Sequence, residues 1–201
     1  TNWILDGAVW LAEHRAPNLQ WVYLPHLDYA GQKFGPNSPQ AKAALADLDA
    51  ALAGFAEKCL GIAGVSGADF LVVGEYAMTD VNRVVFPNRV LREAGGLTVQ
   101  VQDGREYVDW QRTPCFAMVD HQFAHVYVNA ENLRERESWV ERTVQLFKAQ
   151  PGVAGVYAGI DRRTVGMDHP RAGDVVLVCE DSAWMAYYWW MDDSLAPPFA
   201  R

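Results

Sequence analysis

In the N-terminal part of the chain, amphipathic stretches alternate with short, continuously apolar ones. Apolar residues at helical spacing predict a helix over Trp3–Ala16, and Ser38–Pro39 opens a long second helix, since Ser is a good N-cap and Pro suits the first helical position. Trp21–Leu24 and Phe70–Val73 have the unbroken apolar character of strands buried on both faces, and Tyr29–Asn37 is predicted to be a loop. This alternation favours an α/β fold with a largely parallel sheet flanked by helices.

The later part of the chain has a different pattern, with shorter strands. Asp103–Gly104 is a strong two-residue hairpin signal between Thr98–Gln102 and Arg105–Trp110. Helices are predicted over Asn88–Ala94 and Glu131–Gln150. Further strands are predicted at Cys115–Val119, Ala124–Val128, Val153–Tyr157, Asp174–Cys179 and Trp184–Trp190. This region adds a hairpin and antiparallel strands to the α/β core, and because no linker or repeat divides the sequence, residues 1–201 are predicted to form a single domain.

Composition and charge narrow the possible functions. The formal net charge is -8 and the sequence pI is about 5.0, which disfavours general binding to nucleic acid. A small phosphorylated substrate stays possible, because a bound metal ion can reverse the local field. No apolar run approaches the roughly 18 to 20 residues of a membrane span. Cys59, Cys115 and Cys179 lie in apolar stretches without a CxxC pair, which predicts buried free thiols and a cytoplasmic location.

Both ends of the sequence have the character of cuts in a longer protein. Thr1 opens directly on helical pattern without an initiator Met or a signal peptide, and the chain stops at Arg201 with no evident terminal element. We therefore expect a fragment of a longer domain, whose missing N-terminal segment would be a partner for these residues.

Two acidic residues follow the two predicted buried strands. Asp28 comes after the first strand and Glu75 after the second. Ligands of open α/β sheets bind beyond the carboxyl ends of the strands, and carboxylates from neighbouring strand ends can build a two-metal site. The alternative is that both carboxylates merely cap loops or helices.

The five histidines are the other candidates for chemistry. His121 and His125 have the four-residue spacing of a helical metal pair, but the local pattern leads into a strand. Each can be a substrate contact or a hydrogen-bonded structural residue, as can His26, near Asp28, and His169, in a polar loop. His14 lies near the end of the first helix, where a cationic side chain is favourable, and is interpreted as structural. P-loop, GxGxxG, HExxH and GxSxG motifs are absent from the sequence.

The stretch from Tyr23 to Pro39 resembles the D-x-x-G-H-x-x-G-P segment of nucleotide pyrophosphatase/phosphodiesterases. These enzymes belong to the alkaline phosphatase superfamily, with phosphonoacetate hydrolases as close relatives. Gly74–Met78 resembles their S-D-H-G-M segment, Phe116–Tyr127 a later strand pair and Arg171–Val176 an R-x-G-D strand. The order and spacing agree from about Trp21 to Cys179. A bacterial branch has a similar Y-L-P-H-L-D-Y and S-E-Y-G pattern.

The resemblance implies a partial alkaline phosphatase-like core and a metal-dependent phosphodiesterase or pyrophosphatase. In such enzymes two metal ions, usually zinc, clamp a phosphoryl group that a Thr or Ser attacks. By position, Asp28 matches a carboxylate ligand of the first metal and Gln32 replaces that metal's His. Glu75 replaces an Asp of the second metal, and Tyr76 replaces its His. Exchanging imidazoles for oxygen groups shifts the expected preference from Zn toward Mg, Mn or Ca.

The same resemblance implies that the active site is incomplete. The family's nucleophile and first metal Asp lie upstream of the matched region, and after Asp174 the sequence has no His to serve as the last ligand. We therefore expect His121 and His125 to contact a small phosphorylated substrate, and this chain alone to be inactive. The alternatives are a degenerate, non-catalytic member that binds a phosphorylated metabolite or a partner protein, and an isomerase such as a metal-dependent phosphoglycerate mutase.

Overall fold

The computed structural model describes residues 1–65 and 67–200. They form two compact units, Thr1–Asp80 and a second one that begins at Val81. The helices are α1 Asn2–Arg15, α2 His26–Phe34, α3 Pro39–Leu60, α4 Pro87–Glu93 and α5 Leu133–Lys148. The strands are β1 Arg83–Val85, β2 Val99–Gln102, β3 Arg105–Val108, β4 Cys115–Asp120, β5 Phe123–Val128, β6 Val153–Ala158, β7 Val175–Cys179 and β8 Ala183–Met185. Short 3₁₀ helices cover Gly159–Val165, Asp193–Leu195 and Pro198–Ala200.

The first unit is built on three helices, with α1 and α2 both packed against α3. The predicted start of α3 is confirmed: Pro39 is its first residue and the Ser38 hydroxyl accepts a hydrogen bond from the Ala41 amide at 3.1 Å. At the other end of α3, Lys58 pairs with Asp6 of α1 at 3.1 Å. The helices predicted from apolar spacing and capping residues therefore form where the sequence placed them.

Three predictions in this unit are wrong. Trp21–Leu24 and Phe70–Val73 are not strands, and no described strand pairs with either. Their side chains are largely exposed, with Trp21 at 82% and Leu71 at 85%. A continuous apolar run predicts a buried strand only where neighbouring strands cover it, and in the described residues they do not. The predicted loop Tyr29–Asn37 is instead largely helix α2, which ends at Phe34 and has Gly35, with a φ of 87°, as its C-cap.

The second unit is organised around a four-stranded antiparallel sheet in the order β4-β5-β7-β6, on which α5 packs. The hairpin β2–β3 turns at Asp103 and Gly104, whose φ values of 49° and 72° suit the predicted two-residue turn. Strands β1 and β8 form a small parallel pair. The α/β class is thus confirmed, and the sheets are mostly antiparallel. The core contains Val126, Phe147, Leu177, Met185 and Trp190, with cysteines 115 and 179 beside them.

The predicted strand Trp184–Trp190 is only partly correct, because strand β8 ends at Met185. The residues that follow form an aromatic cluster, in which Tyr188 stacks on Trp190 with ring centroids 4.3 Å apart. Trp189 donates its indole hydrogen bond to the Glu106 carbonyl at 3.1 Å. Ring packing of this kind fixes a segment without ladder hydrogen bonds, which is why the strand is shorter than predicted. All three cysteines are free and buried, as predicted.

Candidate functional site

Helix α2 positions the first candidate residue, Asp28, in its first turn. A carboxylate is favourable there because it faces the positive end of the helix dipole. Gly31, one turn further on, lets the helix run close to the segment that follows Tyr76, since a β-carbon at position 31 would collide with the Sδ of Met78. Gly31 lies in the stretch that was predicted to be a loop, and in the structure it allows a close approach of helix and segment.

Asp28 and Tyr76 contact each other directly, because the Tyr76 hydroxyl donates a hydrogen bond to Oδ1 of Asp28. That bond is the largest of the causes that raise the pKa of Tyr76 to about 12. A phenol beside a carboxylate keeps its proton, because the phenolate would place a second negative charge there. Tyr76 therefore acts as a hydrogen-bond donor to Asp28 in this structure.

Tyr23 joins the same cluster, and the sequence analysis missed it. Desolvation first, and then the charges of Glu75 and Asp28, raise the pKa of the Tyr23 phenol. In the sequence this residue belonged to a predicted buried strand, where a tyrosine would be a packing residue. The structure brings together two carboxylates, Asp28 and Glu75, and two phenols, Tyr23 and Tyr76. We call these four residues the carboxylate–tyrosine cluster.

Gln32 lies four residues after Asp28 on α2, so the two share one face of the helix. Its side chain is exposed. Gln32, which was predicted to be a neutral oxygen ligand, therefore lies on the same helix face as Asp28, one turn further along α2.

The donor chemistry of this cluster fits a hard divalent cation better than zinc. Carboxylate and amide oxygens suit Mg²⁺, Mn²⁺ or Ca²⁺, whereas zinc favours imidazole and thiolate. Among residues 1–65 and 67–200, no group of three or more His, Cys, Asp or Glu is arranged to hold a metal ion. The cluster contributes two carboxylates, Asp28 and Glu75, and Gln32 lies one turn from Asp28 on α2.

His121, in the second unit, lies in the tight turn between β4 and β5. Its φ is 51°, and its carbonyl accepts a hydrogen bond from the Met185 amide at 2.7 Å. Its Nδ1 lies 2.6 Å from Oδ1 of Asp120, and both side chains are well exposed. This exposed position is within reach of a ligand from solvent.

His125 lies on β5 and anchors the loop that precedes β7. Its Nδ1 accepts a hydrogen bond from the Gly173 amide at 3.1 Å, and Arg162 donates to the Gly173 carbonyl at 2.8 Å. Burial first, and then the positive charge of Arg162, lower the pKa of His125. A neutral His125 with its Nδ1 used as an acceptor has a structural role in this loop.

The remaining histidines have local partners. His14 is exposed, stacks on Trp10 and lies 2.8 Å from the Trp10 carbonyl, in agreement with its structural interpretation. Nδ1 of His169 accepts the Arg171 amide at 3.1 Å. Nδ1 of His26 lies 2.9 Å from the Thr1 hydroxyl, and its buried Nε2 has no hydrogen-bond partner in the described part of the chain. Of the helices described, none has both the length and the apolar character of a membrane span.

Comparison with known proteins gives matches to one family and to solved structures of related enzymes. The model of the family "Type I phosphodiesterase / nucleotide pyrophosphatase" matches residues 2–198. No match was found among curated proteins. Phosphonoacetate hydrolase from Sinorhizobium meliloti 1021, solved with phosphonoformate, is 19% identical, with a TM-score of 0.57 over 93% of this chain. Murine ectonucleotide pyrophosphatase / phosphodiesterase 5 is 17% identical, with a TM-score of 0.63 over 94% of this chain.

These structural matches cover less than half of the related proteins. The chain spans 42% of the phosphonoacetate hydrolase and 45% of the murine protein. A second structure of the murine protein, in complex with AMP, gives a TM-score of 0.59 at 17% identity. At such identities the matches establish the shared fold.

Proposed function

Since the chain belongs to the type I phosphodiesterase / nucleotide pyrophosphatase family, we propose that it contributes part of the active site of a metal-dependent phosphoester hydrolase. The observation that carries the proposal is the clustering of Asp28 with the Glu75–Tyr76 segment. The two residues Asp28 and Tyr76 are 48 positions apart in the sequence and hydrogen-bonded in the fold. They occupy the positions at which the sequence resemblance expects metal ligands.

Asp28 and Glu75 are the residues that would hold a divalent cation, with the Gln32 amide oxygen as a neutral third donor. The absence of imidazole from this set favours Mg²⁺ or Mn²⁺ over Zn²⁺. When bound, such an ion stabilises negative charge on the phosphoryl oxygens. The chain's own contribution is to hold both carboxylates together and to keep two protonated phenols beside them. The proposal assigns no nucleophile among the described residues.

The substrate class follows from the family and from the charge of the cluster. A small phosphorylated molecule, a phosphodiester or a nucleotide-type pyrophosphate, presents oxygens that a cation held by Asp28 and Glu75 can bind. Of the two histidines that the sequence analysis predicts to contact substrate, His121 has the more exposed ring, beside Asp120. His125 is committed to the Gly173 loop and supports that region. Three free buried thiols favour a reducing compartment such as the cytoplasm.

A second candidate function is a non-catalytic family member that binds a phosphorylated metabolite or a protein partner. One observation favours it: Asp28 already accepts the Tyr76 hydroxyl, and Tyr23 lies beside Glu75. Hydrogen bonds to protein groups reduce the carboxylate oxygens open to a metal. The two candidates differ in turnover, which only the hydrolase predicts.

Hydrolysis of bis-p-nitrophenyl phosphate by the natural full-length protein separates these functions. We expect turnover with Mn²⁺ or Mg²⁺ and less with Zn²⁺. Asp28→Ala should abolish it, and Asp47→Ala, which removes an exposed carboxylate on α3, should leave it unchanged. Metal-stimulated turnover lost only in Asp28→Ala supports the hydrolase. A folded protein without turnover in the presence of Mn²⁺, Mg²⁺ or Zn²⁺ supports the binding function instead.

A further inference from the structure

We propose that residues 21–24 and 70–73 form a strand-docking surface, which is covered in the natural protein by β-strands of a segment outside these 201 residues. The inference concerns how the fold is completed, and it does not depend on metal binding or turnover. It starts from apolar side chains of the first unit that lie in solvent. Leu71 and Val72 are 85% and 75% exposed, and Trp21 is 82% exposed. Large apolar surfaces exposed in this way mark interaction sites.

The backbone of both segments is also without strand partners. In the described part of the chain, no amide or carbonyl of residues 21–24 or 70–73 takes part in a backbone-to-backbone hydrogen bond. Both segments are rich in aromatic and β-branched residues, the types that favour strands. A strand that adds to such a segment supplies main-chain hydrogen bonds and covers apolar side chains at the same time. The surface therefore fits a β-strand as its occupant.

Side-chain contacts define one side and one end of this surface. The Phe70 ring packs edge-on against Phe55 of α3, with ring centroids 6.1 Å apart, so α3 supports the second segment from one side. Tyr23, in the first segment, donates a hydrogen bond to the side chain of Glu75, just beyond the second segment. Both segments therefore lead into the carboxylate–tyrosine cluster at their C-terminal ends. A docked strand would border that cluster.

Charge disfavours a second copy of this chain as the occupant. Asp69 and Glu75 flank the second segment, so two copies paired through it, in either direction, would bring like charges together. Each copy also has a formal net charge of -8, which adds a general repulsion.

The length of the related proteins favours a segment of the same protein instead. The chain spans 42% of the phosphonoacetate hydrolase and 45% of the murine phosphodiesterase, whose folds it shares. More than half of each related chain thus lies outside the matched part, which is ample length for additional strands. We therefore assign the docking surface to strands of the natural protein itself.

Hydrogen exchange followed by mass spectrometry tests the proposal on the natural full-length protein. We expect the amides of residues 71–73 to exchange at least about 100-fold more slowly in that protein than in the 201-residue chain, because strand pairing protects them. The amides of β5 are the reference for folding and should exchange slowly in both proteins.

A matched pair of substitutions, Leu71→Lys and Leu133→Lys, provides a second measurement. Leu133, the first residue of α5, is 77% exposed and lies outside the docking surface. Leu71→Lys should lower the melting temperature of the full-length protein by roughly 5 °C or more, because a covered strand leaves the new charge buried and unpaired. Leu133→Lys should change it by less than about 2 °C, and neither substitution should destabilise the 201-residue chain.

The outcomes differ from those that test the proposed function. Fast exchange of residues 71–73 in the folded full-length protein overturns the docking surface, as do equal melting shifts of the two variants. Slow exchange in the 201-residue chain overturns the proposed occupant, and a dimer seen by light scattering would then identify a second copy. Slow exchange in a full-length protein without turnover supports this inference and contradicts the hydrolase.

Discussion

The hydroxyl of Tyr76 donates a hydrogen bond to the Asp28 carboxylate and so ties helix α2 to a segment 48 residues away. The bond joins two positions at which the sequence resemblance predicts metal ligands. Because the two side chains are hydrogen-bonded, a change in the charge of one can be detected through the other.

Replacement of Asp28 should lower the pKa of Tyr76. The hydrogen bond to the carboxylate, then desolvation and the negative charge of Asp28, raise that pKa from 10.0 to about 12, because each favours the protonated phenol. Asp28→Asn keeps the shape of the side chain and removes the charge, so ionisation should move back toward pH 10. Absorbance at the tyrosinate band during an alkaline titration measures the change. Asp47→Asn is the control, and an unchanged titration in Asp28→Asn would contradict the geometry.

Loss of the Glu106 charge should strongly destabilise the second unit. Both Glu106 oxygens accept from Arg92, at 2.6 and 2.8 Å, and the carboxylate is nearly buried. Glu106→Gln leaves the Arg92 guanidinium without its counter-charge, which typically costs about 3 to 5 kcal/mol. Urea unfolding followed by tryptophan fluorescence measures the loss.

An exposed ion pair of the same unit provides the control for Glu106. Arg163 and Asp168 pair at 3.2 Å, with side chains 67% and 50% exposed. Asp168→Asn should change the free energy of unfolding by less than about 1 kcal/mol. Equal effects of the two substitutions would show that burial does not govern the Arg92–Glu106 pair.

Replacement of Asn88 should destabilise the second unit as strongly as replacement of Glu106, through the loss of hydrogen bonds alone. This fully buried side chain donates to the carbonyls of Ala117 and Tyr187 at 2.9 and 3.0 Å and accepts the Ala117 amide at 2.8 Å. Asn88→Leu leaves these backbone groups without their hydrogen-bond partner, and each unsatisfied buried group costs about 1 to 3 kcal/mol. Thermal melting should show a clear decrease. The matched change Asn129→Leu, at an exposed position, should melt close to the unaltered chain.

His125 predicts a loss of stability at acid pH. Burial and Arg162 lower its pKa in the fold below the ordinary 6.5, so the unfolded chain binds the proton more readily. Neutral His125 therefore contributes its full stabilisation above pH 6.5. That contribution is lost as the pH falls through the lower pKa that His125 has in the folded protein. Proton NMR titration of Arg162→Gln should place the His125 pKa higher, though still below 6.5 because burial is the larger cause. Arg163→Gln should leave that pKa where it is.

The sequence predicted those elements whose determinants are local. Ser38 caps α3, and Asp103 takes the positive φ that its hairpin turn needs, both from short-range chemistry. The strand predicted at Trp21–Leu24 is wrong because an apolar run specifies burial without specifying a partner. Helix α2 was missed because Gly31, which suggests a loop in isolation, is used here for close packing against Met78.

The candidate site was predicted in part for the same reason. Asp28 and Glu75 were selected from their positions after predicted strands, and they do lie in one cluster, although neither follows a strand. Tyr23 could not be selected, because nothing in a tyrosine's neighbours along the chain indicates a carboxylate partner 52 residues later. Such a pairing is a property of the folded chain.

The close approach of Met78 to Gly31 also makes the cluster vulnerable to ageing of the sample. Conversion of the thioether to its sulfoxide adds an oxygen and a strong dipole to a sulfur that already lies against the helix backbone. The added volume must push α2 away from the segment that carries Tyr76. Preparations stored with peroxide-containing detergents should therefore lose the Asp28–Tyr76 bond while keeping their helices, and methionine sulfoxide reductase should restore it.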